Sequence, residues 1–389
     1  MSAFSFGRRR LSDISLTHPF TPFQALKRYA ILTESLYPQI VTFDRKTWEP
    51  RPTSKSKLFP WYFLLFLGIM MLMDYYYISL REVLSVQKDP DIDVTMYLIL
   101  LIGSTSYMLS ASVCLTYHVY TEELCFVIRN LWNMKGNFQE SSNLVGIFLN
   151  GMISLIISTP LSAGVITIYN NTLDPSYLWF RNVTVISAAT KLFIRIFIYC
   201  LSLLHSSNMV FGYGIIVFII LLIILSSLEV QTISRFKPIN PTITLNHIMS
   251  IRRYRQLQII NLIFNQLLVY FLPVLTLMFL VAIAMMGYML IKMSGIVPHA
   301  LEVLVSMVTA AILGYIELGF GSMANVQRKS ADFLVGLELQ GGSMYRKRVL
   351  RSCKLLQIWA GSYFVMKRST RFQLFGQMAY YVMSLVISV

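Results

Sequence analysis

Long apolar runs constrain this chain more than any other feature of its sequence. Several of them reach about twenty residues or more, which is the length that a helix needs to cross the hydrocarbon core of a bilayer. Backbone groups in lipid must be hydrogen-bonded internally, which leaves helices or a closed barrel, and barrel strands would be shorter and strictly alternating. The composition agrees, because 56% of the 389 residues are hydrophobic and 13% are charged. We therefore predict an all-α, multi-span membrane protein.

The apolar runs predict seven spans. The tract at 192–228 would be about 55 Å long as one helix, enough for two crossings, but its flanks favour one. The glycosylation sequons at Asn170 and Asn182 precede it and five basic residues follow it, so its ends should lie on opposite sides of the membrane. The predicted spans are Leu58–Leu80, Val94–Tyr117, Leu144–Tyr169, Leu192–Leu228, Leu257–Ile291, Ala300–Met323 and the closing stretch Phe372–Val389.

Basic residues are concentrated on one side of these spans. Ten of the 33 Lys and Arg residues lie in the head (1–57), and two, five and ten lie in the loops after the second, fourth and sixth spans. Because cytosolic loops carry the excess of Lys and Arg, this predicts a cytosolic N-terminus and, with seven spans, an extracellular C-terminus. A G-protein-coupled receptor has the opposite orientation. Asn170 and Asn182 then become extracellular candidates for glycosylation.

Other functional classes find little support in the sequence. The net charge of +15 comes without a zinc-finger or other nucleic-acid motif, so we expect no nucleic-acid partner. The four cysteines are scattered and predict neither a metal site nor a disulfide framework. We see no HExxH, Gly-rich phosphate loop or nucleophile elbow, and we expect neither enzyme activity nor a cofactor. A secondary transporter stays an alternative, although such proteins favour internal repeats and none is visible here.

Two cytosolic segments have amphipathic patterns of helical period. Residues 23–41 predict an interfacial helix that ends near Pro38. Residues 345–361 predict a second helix that breaks at Gly361 and whose basic face is a candidate for contact with anionic lipid headgroups. The basic face of the second helix carries Lys347, Arg351 and Lys354, and its apolar face carries Val349, Cys353, Leu356 and Ala360.

The closing stretch carries regularly spaced polar residues on an apolar background. At 100° per residue, five of them share one stripe about 80° wide along the whole helix. Polar side chains in lipid face a bundle interior or a water-filled space, so the stripe predicts either hydrogen bonds between helices of one subunit or a pore shared by several subunits. The stripe consists of Gln373, Gln377, Tyr381, Ser384 and Ser388. Two carboxylates, Asp74 and Glu317, also fall inside predicted spans, where a functional role and a hydrogen bond to a neighbouring helix are both open.

Three segments of the chain resemble the arthropod gustatory and odorant receptor superfamily. RYRQLQIINLIFNQLL (253–268) is similar to the start of the fifth span of gustatory receptors, and WAGSYF (359–364) to the break before their last helix. Ala379-Tyr380 and Val386-Ile387 stand where gustatory receptors carry Thr-Tyr and Gln-Phe, so the tyrosine alone matches. Length, span count, orientation and the short C-terminus are similar over nearly the whole chain. We favour a divergent gustatory receptor over an odorant-receptor tuning subunit that requires a co-receptor.

The resemblance implies a ligand-gated, non-selective cation channel of the plasma membrane, a homo- or heterotetramer that detects small-molecule tastants or odorants. It assigns 372–389 to the pore wall, and 229–265 and 324–371 to a cytosolic anchor between subunits. The ligand pocket is expected in the outer half of each subunit's seven-span domain (58–389). Aromatic walls and a few polar groups suit such a pocket. The candidates there are Tyr97, His205, Tyr213 and Tyr288.

Overall fold

The computed structural model describes residues 20–134, 143–169, 174–233, 243–339 and 344–388, and within them the chain is mostly helical. The head comprises α1 (Pro22–Leu36), the antiparallel strands β1 (Val41–Phe43) and β2 (Pro50–Pro52), and a 3-10 turn (Lys55–Lys57). The next helices are α2 (Phe59–Leu84), α3 (Val94–Val119), α4 (Thr121–Met134), α5 (Asn143–Tyr169), α6 (Tyr177–Phe180) and α7 (Ala188–Ile233). They are followed by α8 (Ile243–Leu268), α9 (Phe271–Lys292), α10 (His299–Tyr315), α11 (Gly321–Leu339), α12 (Met344–Arg351) and α13 (Arg368–Ser388). A π-helical turn (Ile316–Phe320, the π-turn) joins α10 to α11, and the strands β3 (Trp359–Ala360) and β4 (Phe364–Val365) precede α13.

Six of the described helices are long and apolar enough to cross a membrane. They are α2, α3, α5, α7, α9 and the continuous helix formed by α10, the π-turn and α11. The prediction of an all-α, multi-span membrane protein is confirmed, and the predicted spans at 58–80, 94–117 and 144–169 match α2, α3 and α5 to within a few residues. The closing span corresponds to α13. This helix is more polar than the other six, and its crossing stays a prediction, as does the orientation of the termini.

Helix α7 lies at the centre of the bundle, and its composition explains why. Nearly every side chain from Ile215 to Ile224 is buried. A helix that is apolar on all sides gains most by packing against protein all round, and α7 contacts α2, α3, α5 and α11. The helix is one unbroken element of 46 residues, in agreement with the prediction of a single crossing in this tract.

Pro160 lies inside α5 without ending the helix. A proline has no N–H to donate, so the carbonyl of Ile156, four residues earlier, loses its helical partner. The Ser207 hydroxyl of α7 donates to that carbonyl oxygen at 3.0 Å. The Cys200 thiol of α7 donates to the carbonyl oxygen of Pro160 at 3.3 Å. Side chains of α7 therefore donate hydrogen bonds to the backbone carbonyls around Pro160, which lipid could not do. Proline is tolerated in membrane-spanning helices when a neighbouring helix satisfies the backbone in this way.

The predicted span at 257–291 is wrong in one respect, because the tract is two helices rather than one. Helix α8 ends at Leu268 and α9 begins at Phe271. Pro273 stands in the first turn of α9, where its ring would clash with the carbonyl of Val269 if the helix were continuous. The turn containing Gly361 (φ +60°) packs on this break, since a Cβ at Gly361 would lie 3.1 Å from both Pro273 Cγ and Val269 O. The membrane crossing therefore belongs to α9, and α8 is a separate helix.

The predicted helix at 345–361 is also too long. Helix α12 ends at Arg351, and the chain then runs without helix to the β3–β4 hairpin. The amide groups of Asn261 and Asn265 donate to the Gln357 carbonyl oxygen at 2.9 and 2.8 Å, and Ser330 Oγ accepts from Leu356 N at 2.9 Å. Side chains of α8 and α11 thus replace the helical hydrogen bonds of this segment. Its apolar face was nevertheless predicted correctly: Cys353, Leu356 and Ala360 are buried and Val349 is half-buried.

Helix α1 agrees with the predicted head helix. The side chain of Thr21 caps its first turn by accepting from Gln24 N at 3.3 Å, and the helix ends at Leu36, two residues before Pro38. Its buried face packs against α5 and α7. The hydroxyl end of Tyr29 lies at Gly212 of α7, where a Cβ would be 2.1 Å from Tyr29 Oη. Glycine at 212 thus lets the head dock closely on the central helix.

Candidate ligand cavity and pore helix

Five helices line a cavity of about 200 Å³ between them. The walls come from α3, α5, α7, α9 and α10. The described residues that line it are mostly aliphatic, methionine or aromatic, and they include no Asp, Glu, Lys, Arg or His. An uncharged, apolar wall favours uncharged, apolar ligands, because a charged ligand would lose its hydration without gaining a counter-charge.

Two hydroxyl groups of this cavity have no hydrogen-bond partner among the described residues. They are Thr159 Oγ1 on α5 and Tyr315 Oη at the end of α10. Two other lining hydroxyls are engaged, since Ser207 donates to the Ile156 carbonyl and Thr105 to the Ile102 carbonyl at 2.7 Å. An unpaired buried polar group costs about 1–3 kcal/mol. A ligand with a hydrogen-bonding group would remove that cost at either position.

The ring of Tyr315 is held in an aromatic cage at one end of the cavity. Its centroid lies 5.2 Å from that of Phe218 and 5.6 Å from that of Phe279, both edge-on. Gly214 of α7 makes room for the ring, because a Cβ there would lie 3.1 Å from Tyr315 Cε2 and 2.9 Å from Met152 Cε. The ring therefore has one placement, with its hydroxyl left unpaired.

The four residues predicted to bind the ligand lie around the cavity rather than on its lining. Tyr97 is half-buried near the start of α3, and Tyr288 is buried beside the lining residue Met289. The Tyr213 hydroxyl donates to the Leu267 carbonyl oxygen at 3.3 Å. Their role in ligand binding stays a prediction.

His205, the fourth predicted ligand residue, belongs to a buried polar network that ties the head to α7. Its Nδ1 lies 3.0 Å from Tyr37 Oη, and its Nε2 lies 3.7 Å from Cys114 Sγ. The Asn208 amide also donates to Tyr37 Oη at 2.7 Å. Both ring nitrogens of His205 therefore have a polar contact within the protein. The role of His205 in ligand binding also stays a prediction.

Helix α13 presents its predicted polar stripe away from its own subunit. The five stripe residues are exposed, whereas Leu374 and Met378 on the opposite side are 4% and 2% exposed. Val382 lies against α9, where a Cβ at Gly287 would be 2.8 Å from Val382 Cγ2. Met286 and Met289, on either side of Gly287, line the cavity. Helix α9 therefore lies between the cavity and the pore-helix candidate.

The two predicted glycosylation sites differ in what the structure says about them. Asn182 is exposed in the turn that follows α6. Asn170 lies outside the described residues. Glycosylation at both positions stays a prediction.

Comparison with known proteins identifies the fold. No family model and no curated protein matches the sequence. The chain has the fold of a solved insect olfactory receptor. The similar solved structures include the olfactory receptor OR5 from the insect Machilis hrabei, with a TM-score of 0.64 and 11% sequence identity over 93% of this chain and 97% of that chain. OR5 in complex with eugenol is similar at a TM-score of 0.63 and 12% identity, covering 94% and 98% of the two chains. The resemblance to the chemoreceptor superfamily is confirmed in the fold, and the choice between gustatory and odorant receptor stays open.

Proposed function

We propose that this chain is a chemosensory receptor subunit of the plasma membrane, in which a small-molecule ligand opens a non-selective cation pore. The observation that carries the proposal is the apolar, uncharged cavity, which lies one helix away from α13. The exposed polar stripe of α13 supports a pore shared by several copies, since a polar surface in lipid needs water or protein beside it. Four copies, identical or mixed with a co-receptor, would surround the pore, with the N-terminus cytosolic and the C-terminus extracellular.

The cavity supports an uncharged, largely apolar ligand with at least one hydrogen-bonding group. Such a ligand fills the apolar walls and pairs with the hydroxyl of Thr159 or Tyr315. Eugenol, which OR5 of Machilis hrabei binds, meets this description. Sugars, amino acids and charged amines do not, because the lining has too few polar groups to replace their hydration. The same argument favours odorant-like over sugar-like ligands, whichever subfamily the chain belongs to.

Whole-cell recording tests the receptor proposal. The chain is expressed in a cell line, alone and with the odorant-receptor co-receptor, and its surface expression is verified. Eugenol, 2-phenylethanol and related uncharged phenols and alcohols should evoke currents, and sugars and amines should not. Currents without the co-receptor support a homomer, and a strict requirement for it supports an odorant-receptor tuning subunit. The absence of ligand-evoked currents both with and without the co-receptor, at normal surface expression, refutes the proposal.

Cysteine labelling tests the pore separately. Single cysteines in place of Gln377, Ser384 and Ser388 should react with thiol reagents added in water, and Leu374→Cys should not. Protection of all three stripe positions would refute the pore wall. An Asn182→Gln variant whose electrophoretic mobility is unchanged after glycosidase treatment, while the parent shifts, would support glycosylation at Asn182 and an extracellular turn.

A further inference from the structure

The π-turn lies between the two parts of the molecule that the proposed function has to connect. Tyr315, the residue before the turn, lines the cavity, and Glu317 within the turn contacts α13. Residues two positions apart on a helix point in nearly opposite directions, about 200° apart. The turn therefore presents one side chain to the cavity and another to the pore helix.

Glu317 contacts α13 through an ion pair with Arg371. Arg371 Nη1 donates to Glu317 Oε1 at 2.6 Å, and the guanidinium carbon lies 4.8 Å from the centroid of the Phe372 ring. The Arg371 side chain is 17% exposed and that of Glu317 is 53% exposed. The Nε atom of Arg371 has no hydrogen-bond partner among the described residues. Removal of Glu317 would leave the mostly buried guanidinium without its charge partner, which is unfavourable.

The other contacts of α13 divide the helix into a held end and a looser end. Leu374 and Met378, within three turns of its start, are buried against the subunit. Further along, Val382 and Leu385 are half-buried, and no described side chain of α13 is fully buried there. The ion pair therefore acts at the end where α13 is fixed to its subunit, and a small movement of that end would displace the looser end by more.

A π-turn is also a suitable place for such a movement. Its i→i+5 hydrogen bonds are rare and appear mostly as single turns inside α-helices, frequently at functional sites. Here the turn interrupts a helix that is otherwise continuous from His299 to Leu339. The extra residue of the turn lets one side of the helix shift relative to the other without unfolding either side.

We propose that the π-turn transmits ligand occupancy from the cavity to the pore helix through the ion pair between Glu317 and Arg371. This inference rests on the proposed function. A ligand at the Tyr315 hydroxyl biases the position of the turn, and Glu317 carries that bias to the base of α13. A ligand shifts the equilibrium between the closed and open pore only if it binds the two states with different affinity. The ion pair contributes to the coupling free energy between the cavity and the pore helix, so its loss should weaken the effect of the ligand on opening.

Currents from paired variants test the transmission. The variants are Glu317→Gln, Arg371→Gln, both together, and the exchange Glu317→Arg with Arg371→Glu. With the most effective phenol or alcohol of the panel, each single variant should raise the half-maximal concentration about fivefold, the lower end of typical site-to-site coupling. The double variant should be no worse than either single one, and the exchange should recover at least half of the loss. Additive effects, or an exchange no better than the double variant, would overturn the proposal.

A second ion pair on the same continuous helix provides the matched control. Lys329 of α11 pairs with Glu229 of α7, so this pair joins α11 to α7 and includes no residue of α13. Lys329→Gln and Glu229→Gln should leave the half-maximal concentration unchanged at equal surface expression. An equal loss in these controls would mean that any ion pair of the helix affects gating through stability, which contradicts a specific transmission.

A measurement without ligand separates this inference from the proposed function. Met378→Cys places a thiol on the buried side of α13, and its labelling by an aqueous thiol reagent is compared with that of the parent protein. Adding Arg371→Gln should raise the labelling rate several-fold if the ion pair holds the base of the helix. An unchanged rate overturns the role of the pair, even in a protein whose currents establish the receptor function. If no agonist acts on the wild type, the receptor proposal fails while the labelling result still decides the role of the pair.

Discussion

The unpaired hydroxyl of Tyr315 makes a prediction in which stability and ligand sensitivity change in opposite directions. Tyr315→Phe keeps the ring in its cage between Phe218 and Phe279 and removes a hydroxyl that has no partner among the described residues. Loss of an unpaired buried hydroxyl should stabilise the protein by up to about 1–3 kcal/mol. A ligand that bonds this hydroxyl loses about 0.5–1.5 kcal/mol, which raises its half-maximal concentration about 2- to 12-fold.

Tyr213→Phe is the matched control for this prediction. The Tyr213 hydroxyl donates to the Leu267 carbonyl oxygen at 3.3 Å, and the Tyr213 ring packs edge-on against the lining residue Phe271. Its removal leaves a buried carbonyl with one bond fewer, so the expected change in stability is a destabilisation of about 1 kcal/mol. Both variants replace tyrosine by phenylalanine. They differ in that the hydroxyl removed at 213 has a hydrogen-bond partner, whereas the one removed at 315 has none among the described residues.

Two assays check the prediction. Thermal unfolding of the purified proteins should place Tyr315→Phe at or above the wild type and Tyr213→Phe below it. Dose–response curves should be shifted in Tyr315→Phe for 2-phenylethanol and unshifted for ethylbenzene, which has no hydroxyl. A destabilised Tyr315→Phe would show that the hydroxyl has a partner within the protein. Equal shifts for both ligands would show that the hydroxyl does not recognise the ligand's polar group.

Three further predictions address the pore helix and the loops. Gly287→Leu should push α13 away from α9, since even a Cβ would lie 2.8 Å from Val382 Cγ2, and whole-cell recording should show an altered resting current. Gln377→Glu should increase the preference of the pore for cations, measured as a shift of the reversal potential at normal surface expression. Arg181 holds the pKa of Asp89 below its ordinary value of 3.8 through hydrogen bonds of 2.6 and 2.8 Å. The stability difference between wild type and Arg181→Gln should therefore be full above pH 3.8 and vanish as the pH falls through the lowered pKa of Asp89.

Each of these predictions has a clear contrary outcome. Gly151→Leu, on a helix surface where a Cβ meets nothing within 4 Å, is the control for Gly287→Leu, and equal effects of the two would mean that bulk alone matters. An unchanged reversal potential in Gln377→Glu places this residue outside the conduction path. A stability difference between Arg181→Gln and wild type that persists well below pH 3.8 would show that Arg181 stabilises the loop by packing and not through the charge of Asp89.

Several elements could be predicted from the sequence because their signals are local. The spans at α2, α3 and α5 follow from uninterrupted apolar runs, and the head helix from its spacing and its limit near Pro38. The direction of the stripe residues on α13 also followed from periodicity, since side chains of a helix repeat every 3.6 residues whatever they pack against.

Other elements depended on partners distant in sequence. The segment after Arg351 has helical spacing, yet it is not helical, because Asn261, Asn265 and Ser330 hydrogen-bond its backbone. Tyr254 belongs to the same contact: its hydroxyl lies 2.6 Å from Ser330 Oγ, and burial raises its pKa to about 12. No spacing within 345–361 predicts these bonds. Helix α4 was missed because its sequence carries a weaker apolar signal than the spans beside it.

The sequence by itself determined that this chain spans a membrane, roughly where it does so, and which face of the last helix is polar. Each of these properties depends on composition and on spacing along one helix. The tertiary structure alone decided where the cavity lies, which hydroxyls stay unpaired in it and that Glu317 meets Arg371. These properties arise where separate helices meet, and the ordinary apolar residues that line a cavity carry no local signal that separates them from residues that fill a core.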